Sequence, residues 1–191
     1  MICWNCREPV GGAVCPGCGK LQPPPPLKES DFFSLLGLPR KWDVDVRAVD
    51  KAWRKLTRQT HPDRFTRARA VEKRMAQQWT ARAMDARAVL REPSRRALYL
   101  ATGQTDLPEQ GGPEVGDDFL ECMFELQMAA RMGDDSVAAQ VEALDAANLE
   151  QIATIMRRYD DSGEGLEQIP ALIARQRYLR TARKLASPAS E

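Results

Sequence analysis

The chain has 191 residues, 43% of them hydrophobic and 29% charged, with a formal net charge of +1, enough for one ordinary domain or two small ones with a packed core. No apolar run approaches the ~20 residues that span a bilayer, and Met1-Ile2-Cys3-Trp4-Asn5-Cys6 has the pattern of neither a signal peptide nor a transit peptide, so a cytoplasmic chain without membrane association is the expectation. The near-neutral total conceals an asymmetry: residues 39–101 carry 17 Lys/Arg against 7 Asp/Glu, and residues 103–170 carry 3 against 16, which suggests two faces for two partners.

Residues 1–22 hold two CxxC pairs, Cys3/Cys6 and Cys15/Cys18. In a reducing compartment such pairs read as a metal site rather than a disulfide framework. Four thiolates at this spacing can reach one tetrahedral point, and the glycines of Cys15-Pro16-Gly17-Cys18-Gly19 permit a tight turn around it. One structural zinc per chain is the expectation, with a rubredoxin-like iron site as the alternative; a segment this short has no core, so the metal would supply its folding energy. The run Pro23 to Pro26 opens a stiff spacer over residues 23–30, which predicts a module that folds separately from the rest of the chain.

Ser30 or Asp31 is suited to cap a short helix through Phe32-Phe33-Ser34-Leu35-Leu36, ended by Gly37. Asp45 is suited to cap a longer one, Val46 to Thr60. There Val49, Ala52, Trp53, Leu56 and Thr60 share one face, and Lys51, Arg54, Lys55 and Arg58 share the other. Pro62 stops it, because the residue before proline disfavours the α region. A third helix is predicted from about Arg67 to Leu90, burying Val71, Met75, Trp79, Ala83, Ala86 and Leu90. Ser94 is expected to cap a short fourth helix through Leu100. Residues 103–116, rich in Gly, Pro and acid, read as a linker. Three more helices are predicted over Asp117–Met132, Ser136–Tyr159 and Leu166–Leu185, joined by short loops as an antiparallel bundle over residues 117–186. Period-two alternation is absent and no internal repeat is evident, so the fold class is all-α.

The turn between the second and third helices is His61-Pro62-Asp63, followed by Arg64-Phe65. Proline exposes the tripeptide, Asp63 offers a carboxylate and His61 a donor–acceptor pair beside the basic face. His61 is the only histidine, which excludes schemes that need two, and the chain has no GxxxxGK[ST] phosphate loop. Taken alone, the tripeptide is an ordinary helix corner and the basic stripe a solvated face.

Together they carry a resemblance. Residues 31–102 resemble a J-domain, and Asp31-Phe32-Phe33-Ser34-Leu35-Leu36-Gly37-Leu38-Pro39, His61-Pro62-Asp63-Arg64-Phe65 and Pro93-Ser94-Arg95-Arg96-Ala97-Leu98-Tyr99-Leu100 are similar to the HscB family of iron–sulfur co-chaperones. The resemblance implies no enzyme and no catalytic residue. It implies a protein that stimulates the ATPase of a DnaK/HscA-type heat-shock chaperone through His61, Pro62, Asp63, Lys51, Arg54, Lys55 and Arg58. It also implies that the C-terminal bundle delivers an IscU-type cluster scaffold, aiding maturation of iron–sulfur proteins. Residues 119–128 correspond to the family's Phe-Leu-Met-Glu-x-x-Glu-Leu-Arg-Glu pattern. Leu120, Phe124 and Glu125 keep its chemistry, Glu121 and Met128 depart from it, and Arg177 and Tyr178 match its Arg-Phe in the last helix. Helical spacing by itself favours a core role for Leu120, Phe124 and Met128; Cys122 reads as a small packed residue.

Three other readings stand beside this one. A general J-protein would act on other clients. A zinc-module protein binding nucleic acid would need basic residues near the cysteines, where there are only Arg7 and Lys20. A thiol oxidoreductase would need a thioredoxin-like βαβ pattern.

Overall fold

The computed structural model describes residues 1–26, 31–109 and 111–186, so Ser30, one of the two expected caps, and residues 27–30 of the expected spacer lie outside the described residues. The elements, in order, are α1 (Phe32–Leu36), α2 (Val46–Thr60), a 3₁₀ turn (Pro62–Phe65), α3 (Ala70–Arg91), α4 (Pro93–Thr102), α5 (Asp117–Arg131), α6 (Val137–Ser162) and α7 (Ile169–Ala186). The all-α class holds: among the described residues the only β-type pairings are isolated bridges, Ile2 with Pro9 and Val14 with Leu21. The chain divides into two compact units, Met1–Glu92 and Pro93–Glu191. No helix among the described residues is long and apolar enough to cross a membrane.

In the first unit, local chemistry sets the helix ends. The Asp31 carboxylate accepts from the Ser34 amide at 2.7 Å and the Asp45 carboxylate from the Arg47 amide at 2.8 Å, each satisfying a donor that the first turn leaves open. Gly37, at φ 66°, closes α1 in the left-handed conformation that a side chain would resist. The helices α1, α2 and α3 pack on one another, burying Phe32, Phe33 and Leu36, then Val49, then Ala83, Ala86, Val89 and Leu90.

Polar contacts then fix α2 against α3. Arg87 donates to the Asp50 carboxylate at 2.8 Å, and its guanidinium lies 4.4 Å from the centre of the Trp53 ring. The hydrogen bond from Arg87, reinforced by the nearby charges of Arg87, Arg91 and Arg54, outweighs burial and holds the Asp50 carboxyl below its ordinary range. A carboxyl depressed in the folded state adds stability above its unfolded pKa, and that stability is lost as pH falls through the folded value. Asp50→Asn should therefore lower the urea midpoint most near neutrality, and the gap from wild type should close on acidification. A gap that does not depend on pH would contradict this.

The third helix departs from expectation at its start. It begins at Ala70 rather than Arg67, because the 3₁₀ turn and residues 66–69 consume the preceding chain. Its buried face is also rotated near the N-terminus: Val71 is exposed, whereas Glu72 and Ala76 are buried. The cysteine module covers that side. Ala13 and Leu21 form one buried cluster with Ala76 and Trp79, and Lys20 pairs with Glu72 at 3.1 Å. The module therefore packs on α3 rather than standing apart from it. The prolines lead it back onto α3, where Arg82 donates to the Pro25 carbonyl.

In the second unit, α4 starts at Pro93 in the first turn, where a missing N–H costs nothing. Ser94 lies inside the helix rather than capping it. Helix α4 packs on α6 and α7, and the division between the compact units falls at Glu92/Pro93. Helices α5, α6 and α7 pack together around Met123, Leu126, Val141 and Leu179. Each such side chain contributes roughly 1.5–3 kcal/mol of apolar burial. Helix α6 runs to Ser162, one turn beyond the expected Tyr159, before Gly163 at φ 77° ends it; α7 starts at Ile169 rather than Leu166. Two residues of the 103–116 segment are held in place. Leu107 and Val115 are buried with Leu98 and Ala174, and Arg175 donates twice to the Val115 carbonyl, at 3.0 and 2.8 Å.

Candidate functional site

Three sites suggested by the residues take shape. The first is the turn after α2. Side chains of His61 and Asp63 are 48% and 86% exposed, so the tripeptide is displayed rather than used in the core. The Asp63 amide donates to His61 Nδ1 at 3.3 Å. Nδ1 also lies 3.4 Å from the Asp63 carboxylate, so Asp63 meets this edge of the ring with both its amide and its side chain. Arg64 donates to the Arg58 carbonyl at 2.9 Å, closing the end of α2, and the Arg64 amide bonds to the His61 carbonyl at 3.0 Å. Lys51, Arg54, Lys55 and Arg58 are all exposed, while Val49 and Thr60 on the opposite face are buried. An exposed cationic helix thus ends in a rigid turn bearing one imidazole and one carboxylate. Trp53, Thr57, His61 and Arg64 line a shallow pocket beside it, with Arg54 and Arg58.

The second site is the cysteine cluster. The module is a twelve-residue pattern repeated once, a repeat that the residue identities did not reveal. The Cys3 amide bonds to Glu8 O and Cys15's to Lys20 O, each at 2.9 Å; Arg7's amide returns to Cys3 O and Gly19's to Cys15 O. Arg7 and Gly19 both take positive φ, 65° and 68°. Only the cysteines, at 3/15 and 6/18, keep their identity among these paired positions, so the repeat lies in the backbone and leaves little trace in composition. The four sulphurs lie within 4.8 Å of one another, with Cys3 to Cys18 and Cys6 to Cys15 each at 3.6 Å. A tetrahedral metal–thiolate set with bonds of about 2.3 Å has edges of roughly 3.8 Å, so the four residues fit a single ion.

The protonation chemistry points the same way. At Cys3, burial opposes ionisation, but the amides of Cys6 and Asn5 and the neighbouring thiols bring its pKa down to about 6. At Cys6 the Glu8 amide favours the thiolate, yet burial and the shared sulphurs of Cys18, Cys15 and Cys3 push it up to about 12. One thiol of the group ionises readily and a further one resists. A bound cation would offset that resistance and draw all four into the thiolate form.

The third site is on α5 and α7. Leu120 is 40% exposed and Phe124 66%, so the core role favoured by spacing alone does not hold for them, and Tyr178 is 41% exposed. Met128 is likewise exposed and continues the i, i+4 stripe. Met123 and Leu126 take the buried face, and Cys122 is half-buried against it as a packed residue. Helices α5 and α7 pack directly, and Phe119 meets Tyr178 edge to face at 6.1 Å, so Tyr178 adjoins the start of the stripe. Glu121 and Glu125 are exposed beside it. Arg177 has a local role: its guanidinium donates to the carbonyls of Leu107 at 2.8 Å and Pro108 at 3.2 Å, holding the 103–116 segment on α7.

No family model matches the chain. It is 37% identical over 132 residues to a Co-chaperone protein HscB homolog of Bordetella avium, covering 69% of this chain and 77% of that one. The homolog from Bordetella pertussis is 35% identical over 142 residues, covering 72% and 84%. Among solved structures, human co-chaperone protein HscB superimposes with a TM-score of 0.76 at 24% identity, over 97% of this chain and 96% of that one. Chaperone HscB from Vibrio cholerae gives 0.62 at 23% identity, over 82% and 95%.

Proposed function

Since this chain belongs to the HscB co-chaperone family, a family of co-chaperones rather than enzymes, we propose that it stimulates the ATPase of a DnaK/HscA-type chaperone and brings an IscU-type scaffold to it. The observation that carries the reading is the exposed His61-Pro62-Asp63 turn at the end of the cationic face of α2. A folded core gains nothing from displaying these groups. An acidic docking groove on a chaperone would use all of them: the lysines and arginines for encounter and orientation, His61 and Asp63 for directed hydrogen bonds. The scaffold would sit on Leu120, Phe124 and Tyr178, with Glu125 and Arg177 at the margin. That face has the apolar centre and charged edge of a transient interface. The four cysteines would hold one structural zinc, whose chemistry is to join the two knuckles by ionic cross-links. The general J-protein reading shares the first site and differs only at the third.

The α2 surface gives a direct test. Reversing Arg54 and Lys55 to Glu alters charge on an exposed face and removes no core contact. Apparent affinity for the chaperone should fall on the order of tenfold or more, about 1.4 kcal/mol. Wild-type binding should itself weaken as salt rises. Stimulation that is indifferent to both salt and reversal would contradict the docking assignment.

A further inference from the structure

We infer that Gln22 is a positioning residue shared by the metal centre and α3, so that metal occupancy and the seating of α3 are thermodynamically coupled. The inference rests on the metal reading of the four cysteines. Gln22 is fully buried, and its hydrogen-bonding groups are directed to partners on both sides. Its side-chain Nε2 donates to Cys3 Sγ at 3.4 Å and to the Lys20 carbonyl at 2.8 Å; its Oε1 accepts from the Trp4 amide at 3.3 Å. Its backbone amide closes the second knuckle on Ala13 O at 2.8 Å. Its carbonyl accepts from Trp79 Nε1 at 2.8 Å, on α3. One residue therefore touches a metal-ligating sulphur with its side chain and the third helix with its backbone.

The surroundings make this more than a single contact. Trp79 lies in a buried cluster with Ala13 and Leu21 of the module and Ala76 of α3; Leu35, Leu56, Met75 and Phe65 pack against it. Phe65 belongs to the turn that begins at Pro62. Glu72, only 3% exposed, has its charge met by Lys20 of the module. If the knuckles open, Gln22 leaves Trp79, the apolar side of α3 meets water, and Glu72 loses its cation. Each of these opposes opening, and the metal holds the knuckles closed. Such coupling is reciprocal: what the metal adds to the seating of α3, the seating of α3 adds to metal retention.

The test uses the full chain loaded with one equivalent of zinc and challenged with excess chelator. Trp79→Phe keeps most of the ring and removes the N–H that reaches Gln22, without touching a sulphur. Zinc release should accelerate about tenfold, within the usual range of such couplings. Glu72→Gln, which removes only the charge partner of Lys20, should act in the same direction and serves if Trp79→Phe does not fold. Asp50→Asn loosens α2 from α3 without touching the module and should release zinc at the wild-type rate. In the reciprocal measurement, stripping zinc should raise amide exchange over residues 72–83. Wild-type release from the folded Trp79 and Glu72 variants, or equal acceleration by Asp50→Asn, overturns the coupling and leaves the metal site standing. A chain that takes up no zinc overturns both.

Discussion

His61→Gln is expected to reduce stimulation of the chaperone ATPase to the basal rate while leaving the helical content of the chain unchanged. The separation comes from where His61 sits. It is past the last residue of α2, its side chain is 48% exposed, and its ring meets Asp63, on the surface, through the hydrogen bond from the Asp63 amide. A surface substitution of this kind changes stability by no more than about 0.5 kcal/mol. Glutamine can still accept at one end and donate at the other, but it lacks the rigid ring that fixes the spacing and direction of the two imidazole nitrogens. Directed hydrogen bonds at a docking site tolerate little misplacement. Binding driven by the cationic face should largely persist, so the variant should still compete with wild type for the chaperone. The measurement is steady-state ATP hydrolysis by the chaperone against co-chaperone concentration, with circular dichroism on the same samples. Normal stimulation by a folded variant would refute the role given to the turn; lost stimulation together with lost helicity would show the residue to be structural.

The legibility of the fold in the residues has a physical pattern. The amphipathic α2 was legible because its apolar and cationic faces are separated at helical spacing, and Asp31 and Asp45 announce their helices because an N-cap is a one-residue interaction. The cysteines were legible because ligand type and spacing suffice. Contacts between distant segments were not. The docking of residues 1–26 on α3 rests on Trp79 Nε1 reaching a backbone carbonyl, Lys20 reaching Glu72, and Ala13 and Leu21 meeting Ala76. None of these has a local signature, and the proline run pointed toward separation. Helical spacing likewise puts Val71 on the buried stripe, and it has no way to show that Glu72 is buried against Lys20 instead. Similarly, Arg177 reads as an edge charge in sequence, whereas in the fold it holds the backbone at Leu107 and Pro108. The repeat of the two knuckles is carried by backbone hydrogen bonds and φ values, which residue identities at positions such as Arg7 and Gly19 do not share.

Phe124→Ala is expected to weaken scaffold binding by on the order of 1–2 kcal/mol or more, the usual cost of truncating a central aromatic anchor, with little loss of stability. Two opposed outcomes were open from spacing alone, because Phe124 in the core would cost roughly 3–5 kcal/mol of stability on truncation. Its 66% exposure removes most of that cost. Met123 and Leu126, the residues of α5 that face the core, are 1% and 6% exposed and are left untouched by the substitution. An exposed phenylalanine in line with Leu120 and Met128 is costly to keep in water unless something covers it, and contiguous apolar surface of this kind commonly marks an interface. Met128 stands where the family pattern has an acid, which lengthens the apolar stripe by a turn. Met128→Glu should therefore weaken binding less than Phe124→Ala, because it acts at the margin rather than the centre. The measurement is a pair: denaturant midpoint and scaffold affinity on each variant, the latter by titration calorimetry. Unchanged stability with at least tenfold weaker binding for Phe124→Ala is the result that fits. A large drop in midpoint with binding by the folded fraction intact would return Phe124 to the core. Unchanged stability with unchanged binding would move the client elsewhere on the bundle, and would favour the general J-protein reading over scaffold delivery.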